Sequence, residues 1–107
     1  MSQPPSPPHG LEPVEIAITG RGIVSSIAEG ADAFVDALYE RRSGVVDGAA
    51  PCSEFDPTVA MAAKSARRAD RYTQFAFAAA AQAIAEARLP GDVDLERLGV
   101  SAPASAG

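Results

Sequence analysis

The residues of this sequence with the clearest chemical potential are basic. Lys64, Arg67 and Arg68 are spaced so that a helix would bring them within an arc of about 100°. Arg71 would either extend the same stripe or instead support the core or a dimer, and Asp70 is the one acid beside it. Such a patch can attract an acidic partner, although charge runs more often only keep a helix face in water. Composition alone therefore favours a solvated surface.

Cys52 is the only cysteine, which excludes an internal disulfide and a multi-cysteine metal site. A nucleophilic thiol needs a depressed pKa, supplied by a helix N-terminus or a nearby charged histidine. Cys52 follows Pro51 in a polar segment, and the only histidine, His9, lies in a proline-rich stretch. We interpret Cys52 as an incidental loop residue and predict no catalytic residue and no bound metal.

Gly20 and Gly22 follow an apolar segment, as the first glycines of a dinucleotide-binding loop do. The third glycine is replaced by Ser25, and the acid at the expected distance, Glu40, falls inside a predicted helix. We therefore predict no cofactor. The glycines are better explained by a tight exit from a strand beneath the core helices.

Length and charge limit the class of protein. The chain has 107 residues, which suits one domain or part of one, and its net charge of −5 argues against a nucleic-acid surface. Residues 1–12 are proline-rich without apolar periodicity, and we predict a disordered tail. No signal peptide and no run of about 18 apolar residues is present, so we expect a cytoplasmic protein that does not contact membranes.

Hydrophobic periodicity predicts an α/β arrangement. Residues 14–19 alternate with period two and predict a strand, and residues 31–42 have helical spacing. A turn-rich loop follows at 45–57. A second helix is predicted to start between 58 and 63 and to run to about Leu89, where Pro90 and Gly91 stop it.

The second half of that long helix is apolar on almost every face and rich in alanine. A helix of this kind is normally surrounded by protein. We therefore predict that residues 75–87 form an interior spine. Gly99 and Val100 hint at the start of another strand.

Five segments, taken in order, resemble the N-terminal part of the β-ketoacyl-[acyl carrier protein] synthases of fatty-acid and polyketide synthesis. The segment ITGRGIVSSIAEG is similar to their T-G-x-G-x-V-S turn, and ARRADRYTQFAFAAAAQAIAEA to their R-R-x-D-R-F-T-Q helix. Three shorter matches are ALYERRSGV, the Phe55-Asp56 loop and RLGV. The five segments span residues 14–100, whereas the last seven residues, SAPASAG, depart from the family's pattern.

This resemblance implies that residues 13–107 form an incomplete thiolase-like fold of the α/β class. The family condenses acyl and malonyl thioesters with a cysteine and two histidines that have no counterpart in this chain. The resemblance further implies that Lys64, Arg67 and Arg68 dock acyl carrier protein. Intact relatives form homodimers or pair with a non-catalytic chain-length factor. The alternatives are therefore a segment of such a factor or an inactive remnant.

Overall fold

The computed structural model describes residues 13–103. Regular structure there is almost entirely helical, with α1 at Ala31–Tyr39, α2 at Ala63–Arg68 and α3 at Arg71–Ala87. Two single 3-10 turns lie at Pro57–Val59 and Leu95–Arg97. The predicted disordered tail and His9 lie outside the described residues.

The predicted strand at residues 14–19 is wrong, because this segment has no regular secondary structure. Val14, Ile16 and Ile18 are 79%, 87% and 86% exposed. A strand needs a neighbour that satisfies its backbone and covers its apolar face, and residues 13–103 provide only isolated β-bridges elsewhere. The suggested strand start at Val100 fails for the same reason, since this side chain is 93% exposed.

Helix α1 begins where the sequence predicts and ends three residues early. Arg41 takes a left-handed conformation with a φ of 57°. Its N–H donates to the Leu38 carbonyl, and the Arg42 N–H donates to the Ala37 carbonyl, both at 3.0 Å. These two bonds satisfy the last carbonyls in the pattern of a Schellman motif. The helix therefore closes at Arg41 rather than at Gly44.

The predicted second helix is divided in two. Ala69 and Asp70 have extended backbone, with ψ angles of 142° and 158°, so the chain turns between α2 and α3. At the other end, α3 stops at Ala87, just before the predicted stop. Arg88 is left-handed there, and the Leu89 N–H donates to the Ile84 carbonyl at 3.1 Å.

A glycine-containing segment packs directly on α3. A Cβ atom at Gly22 would lie 1.7 Å from the carbonyl oxygen of Ala79, and one at Gly20 would lie 2.0 Å from that of Ala83. The predicted close approach of these glycines to a core helix is confirmed, although no strand leads into it. Arg21 lies between these glycines, and its Nε donates a hydrogen bond to Oε1 of Glu86 at 2.9 Å. The Glu86 carboxylate raises the pKa of the Arg21 guanidinium.

The buried core of the described chain is small and consists mainly of alanines. The buried side chains, including one polar one, are Ala31, Ala37, Phe55, Ala66, Gln74 and Ala78. Burial of α3 on every face is not observed in this chain, because Phe77 is 54% and Ile84 is 49% exposed. Alanine burial provides little apolar area, so α3 is anchored by close backbone contact on one side.

Candidate functional site

Helix α2 presents the three basic residues that the sequence singled out. Lys64, Arg67 and Arg68 are all exposed, whereas Ala66 is 6% exposed and turns inward. Within residues 13–103 none of the three basic side chains forms a hydrogen bond or an ion pair. The predicted cluster is therefore assembled on one short helix, with its charges directed to solvent.

The electrostatics of α2 favour an acidic partner. Helix α2 contains no acid, and Arg67 and Arg68 occupy its last turn, where cations complement the partial negative charge of the helix end. In the part of the chain that the structure describes no acid pairs with these three cations, and such a group can attract an acidic surface from a distance. Such attraction is weakened by salt, since the screening length is about 10 Å at 0.1 M ionic strength.

Arg71 does not continue this stripe. Its guanidinium lies 5.2 Å from the ring centroid of Phe55 and 5.1 Å from that of Phe75. One nitrogen donates to the carbonyl of Cys52 at 2.8 Å, and another donates to Oε1 of Gln74 at 3.2 Å. The turn between α2 and α3 redirects this side chain, so that Arg71 ties a loop to α3 instead of extending the basic surface.

Gln74 fixes the angle between the two helices. Its side chain is buried, and its amide nitrogen donates to the carbonyl of Ala66 at 2.8 Å and to that of Ala69 at 3.4 Å. These carbonyls lie at the end of α2, where helical partners are missing. The sequence reasoning missed this role. The available signal was one amide on the otherwise apolar face that includes Ala78.

The loop around Cys52 separates two open cavities of about 480 Å³ and 330 Å³. Pro51, Cys52 and Ser53 line both of them. The thiol is partly buried, and the chain's single histidine is at position 9, outside the described residues. The hydroxyl of Ser25, on the larger cavity, donates to the Ala28 carbonyl at 2.8 Å. Cys52 lies in a loop, as the sequence predicts, and its lack of a catalytic role stays a prediction.

The geometry also explains why Gly20 and Gly22 are not arranged to cradle a phosphate. The space that their missing side chains leave is filled by the backbone of α3. Glu40 lies at the end of α1 and forms an exposed ion pair with Arg42. The glycines and the acid therefore serve local structure.

The phenylalanine-aspartate loop is held by its own side chains. Asp56 accepts hydrogen bonds from the hydroxyl and the N–H of Thr58, at 2.6 Å and 2.9 Å, and these bonds lower the pKa of the carboxyl. Phe55 packs edge-on against Phe75 with 5.1 Å between ring centroids. This contact brings the loop onto the N-terminal part of α3.

No helix of residues 13–103 has the length and apolar character needed to cross a bilayer. Comparison of the chain with protein-family models, with curated proteins and with solved structures found no match.

Proposed function

We propose that this chain is the N-terminal segment of a β-ketoacyl-[acyl carrier protein] synthase and provides its scaffold and its carrier-protein docking surface. The observation that carries the proposal is the cluster on α2. Lys64, Arg67 and Arg68 are exposed, share one helix and have no acidic partner among the described residues. They occupy the positions where the resemblance places the family's docking residues.

Packing between distant segments supports the scaffold role. Residues 18–30 and 66–87 carry the two longest stretches of family resemblance, and they lie against each other at Gly20 and Gly22. The N–H of Ile23 also donates to the side chain of Gln82 at 2.9 Å. If both segments belong to the core of one synthase fold, they are expected to contact each other.

The exposed apolar residues support the thiolase-like fold as part of this proposal. Val14, Ile16 and Ile18 alternate along the chain and remain in solvent. In a complete condensing enzyme such a segment would pair in a sheet, and its apolar face would be covered. Condensation would then require a cysteine and two histidines outside these 107 residues. The chain alone is expected to be catalytically inactive and, in the cell, cytoplasmic.

Carrier-protein binding tests the docking role. Fluorescently labelled holo acyl carrier protein is titrated with the chain, and binding is followed by anisotropy at low salt. Replacing both arginines in the last turn of α2, R67E/R68E, is expected to weaken binding about tenfold, because two attractive contacts become repulsive. Raising the salt concentration should weaken binding of the parent chain more than that of the variant.

The matched control reverses two exposed arginines outside α2, R42E/R97E, and makes the same change in net charge. It should weaken binding far less than R67E/R68E does. Equal weakening by the two variants would mean that net charge, and not the position of the arginines on α2, determines the affinity. Absence of any binding by the parent chain at low salt would contradict the docking role.

A further inference from the structure

We infer that the smaller of the two cavities, beside Arg71, binds a small organic carboxylate whose apolar group lies against Phe75. This cavity has a volume of about 330 Å³, within the range of about 300–1,000 Å³ that is typical of small-molecule sites. It lies between the loop around Cys52 and the N-terminal part of α3. The residues that line it are Ala50, Pro51, Cys52, Ser53, Arg71 and Phe75.

The charge of this cavity favours an anion. Arg71 is the only charged residue among the described ones that line it, although the chain as a whole carries a net charge of −5. The larger cavity differs, because Glu29 and Glu54 line it together with Arg42. Asp70 precedes Arg71 in the chain but does not line the smaller cavity, and within residues 13–103 the two form no ion pair. The positive charge beside this cavity is therefore not neutralised there.

The guanidinium of Arg71 is held in place and still has donors to offer. Of its five N–H groups, one donates to the carbonyl of Cys52 and one to Oε1 of Gln74. Those are its two hydrogen bonds within residues 13–103, so three N–H groups remain for a ligand. The rings of Phe55 and Phe75 restrict the same group further, with centroids 5.2 Å and 5.1 Å away. A ligand that binds a group already fixed in this way loses less conformational entropy.

The walls of the cavity distinguish between classes of anion. Ala50, Pro51 and Phe75 present carbon surface, which an inorganic ion cannot use. One guanidinium balances the charge of one carboxylate, and its planar fork of donors matches the two carboxylate oxygens. A phosphate dianion would leave one charge unbalanced beside apolar walls. A monocarboxylate with a ring or a short alkyl group is therefore the ligand that this cavity fits.

This inference goes beyond the proposed function and does not depend on it. The docking cations of α2 do not line the cavity. Loss of carboxylate binding therefore leaves the carrier-protein measurement unaffected, and failure of carrier binding leaves the cavity as it is.

Titration of the full, isotope-labelled chain with sodium benzoate at constant ionic strength measures binding through the amide shifts in NMR spectra. We expect saturable shifts at Cys52, Ser53 and Phe75, with a Kd of about 1–10 mM. Benzamide has nearly the same shape without the charge and should bind at least about tenfold more weakly, because a charge-assisted hydrogen bond is lost. Inorganic phosphate should also bind more weakly than benzoate, because it gains nothing from the apolar walls.

The variant R71M removes the guanidinium and should lower the affinity for benzoate at least about tenfold. The matched control R97M removes an exposed arginine away from the cavity and should bind benzoate like the parent chain. Circular dichroism shows whether both variants keep their helices, and the comparison of benzoate with benzamide on the parent chain needs no variant.

Three results would overturn the inference. The first is a parent chain without saturable shifts up to about ten times the expected Kd. The second is equal affinity for benzoate and for benzamide or phosphate. The third is a folded R71M that binds benzoate as tightly as R97M does.

Discussion

The two faces of α3 differ in the way they use the same alanine-rich sequence. On the inner face, small side chains let the backbone of Gly20 and Gly22 come into direct contact with the helix. On the outer face, Phe77 and Ile84 remain about half exposed among residues 13–103. The glycine segment therefore packs on the helix where the side chains are small, while two of the larger apolar side chains stay partly in solvent.

The comparison shows that hydrophobicity alone does not decide which side of a helix becomes the core. Large apolar residues contribute more on burial than alanine does, but only where a neighbour is available to cover them. Among the described residues, the neighbour is the segment with Gly20 and Gly22, which packs on the backbone of α3 at Ala79 and Ala83. The inner contact is consequently sensitive to single atoms, whereas the outer face should tolerate substitution.

The largest expected effect comes from adding one methyl group to the inner contact. Gly22→Ala would place a Cβ within 1.7 Å of the Ala79 carbonyl oxygen, which forces the segment off the helix. We expect a loss of about 3 kcal/mol in the free energy of unfolding. Urea denaturation followed by circular dichroism measures it. Gly99→Ala is the control, because its Cβ would meet nothing within 4 Å, and similar losses in both variants would refute the contact.

The next effect concerns the buried amide in the first turn of α3. Gln74→Leu leaves the carbonyls of Ala66 and Ala69 without their side-chain donor. The Ala66 carbonyl keeps its bond from the Ala69 N–H at 3.3 Å, so the loss of the two side-chain bonds is expected to cost about 1.5 kcal/mol in the free energy of unfolding, measured by the same urea titration. On the outer face, Ile84→Gln puts the same amide in water and should change stability by no more than about 0.5 kcal/mol. Equal effects at the two positions would contradict the role of the Gln74 side chain in bonding the end of α2.

The smallest effect separates two neighbouring arginines. Arg71→Met removes the stacking on Phe55 and Phe75 and the hydrogen bond to Cys52, at a cost of about 1 kcal/mol. Arg68→Met removes a solvated charge and should leave the unfolding midpoint within error of the parent chain. Thermal denaturation of the two variants side by side measures the difference. A larger loss of thermal stability for Arg68→Met than for Arg71→Met would contradict the anchoring role of Arg71.

Several elements could be predicted from sequence because their signals are local. The start of α1, the approximate end of α3 and the tight approach of Gly20 and Gly22 follow from periodicity, from Pro90 and from glycine placement. The exposed cations of α2 were also predicted, since charge runs are rarely buried. Their role in docking remains a prediction.

Other elements depend on contacts that no local pattern encodes. The turn at Ala69 and Asp70 contains neither proline nor glycine, and it is held by the amide of Gln74, four and five residues further along the chain. The alternation at residues 14–19 is a genuine strand pattern, but a strand also needs a neighbour. Arg71 fits both the basic stripe and a supporting role in the core by its spacing, because the sequence does not reveal where a helix changes direction.

The bond from Arg71 to the carbonyl of Cys52 makes the chain's single thiol a natural reporter. Cys52 lies in the loop that separates the two open cavities, and Arg71 holds this loop on α3. The rate at which the Cys52 thiol reacts with a disulfide reagent therefore reports how often this loop moves away from α3. One unmodified cysteine can therefore follow the contact between this loop and the N-terminal part of α3 in solution, without any added label.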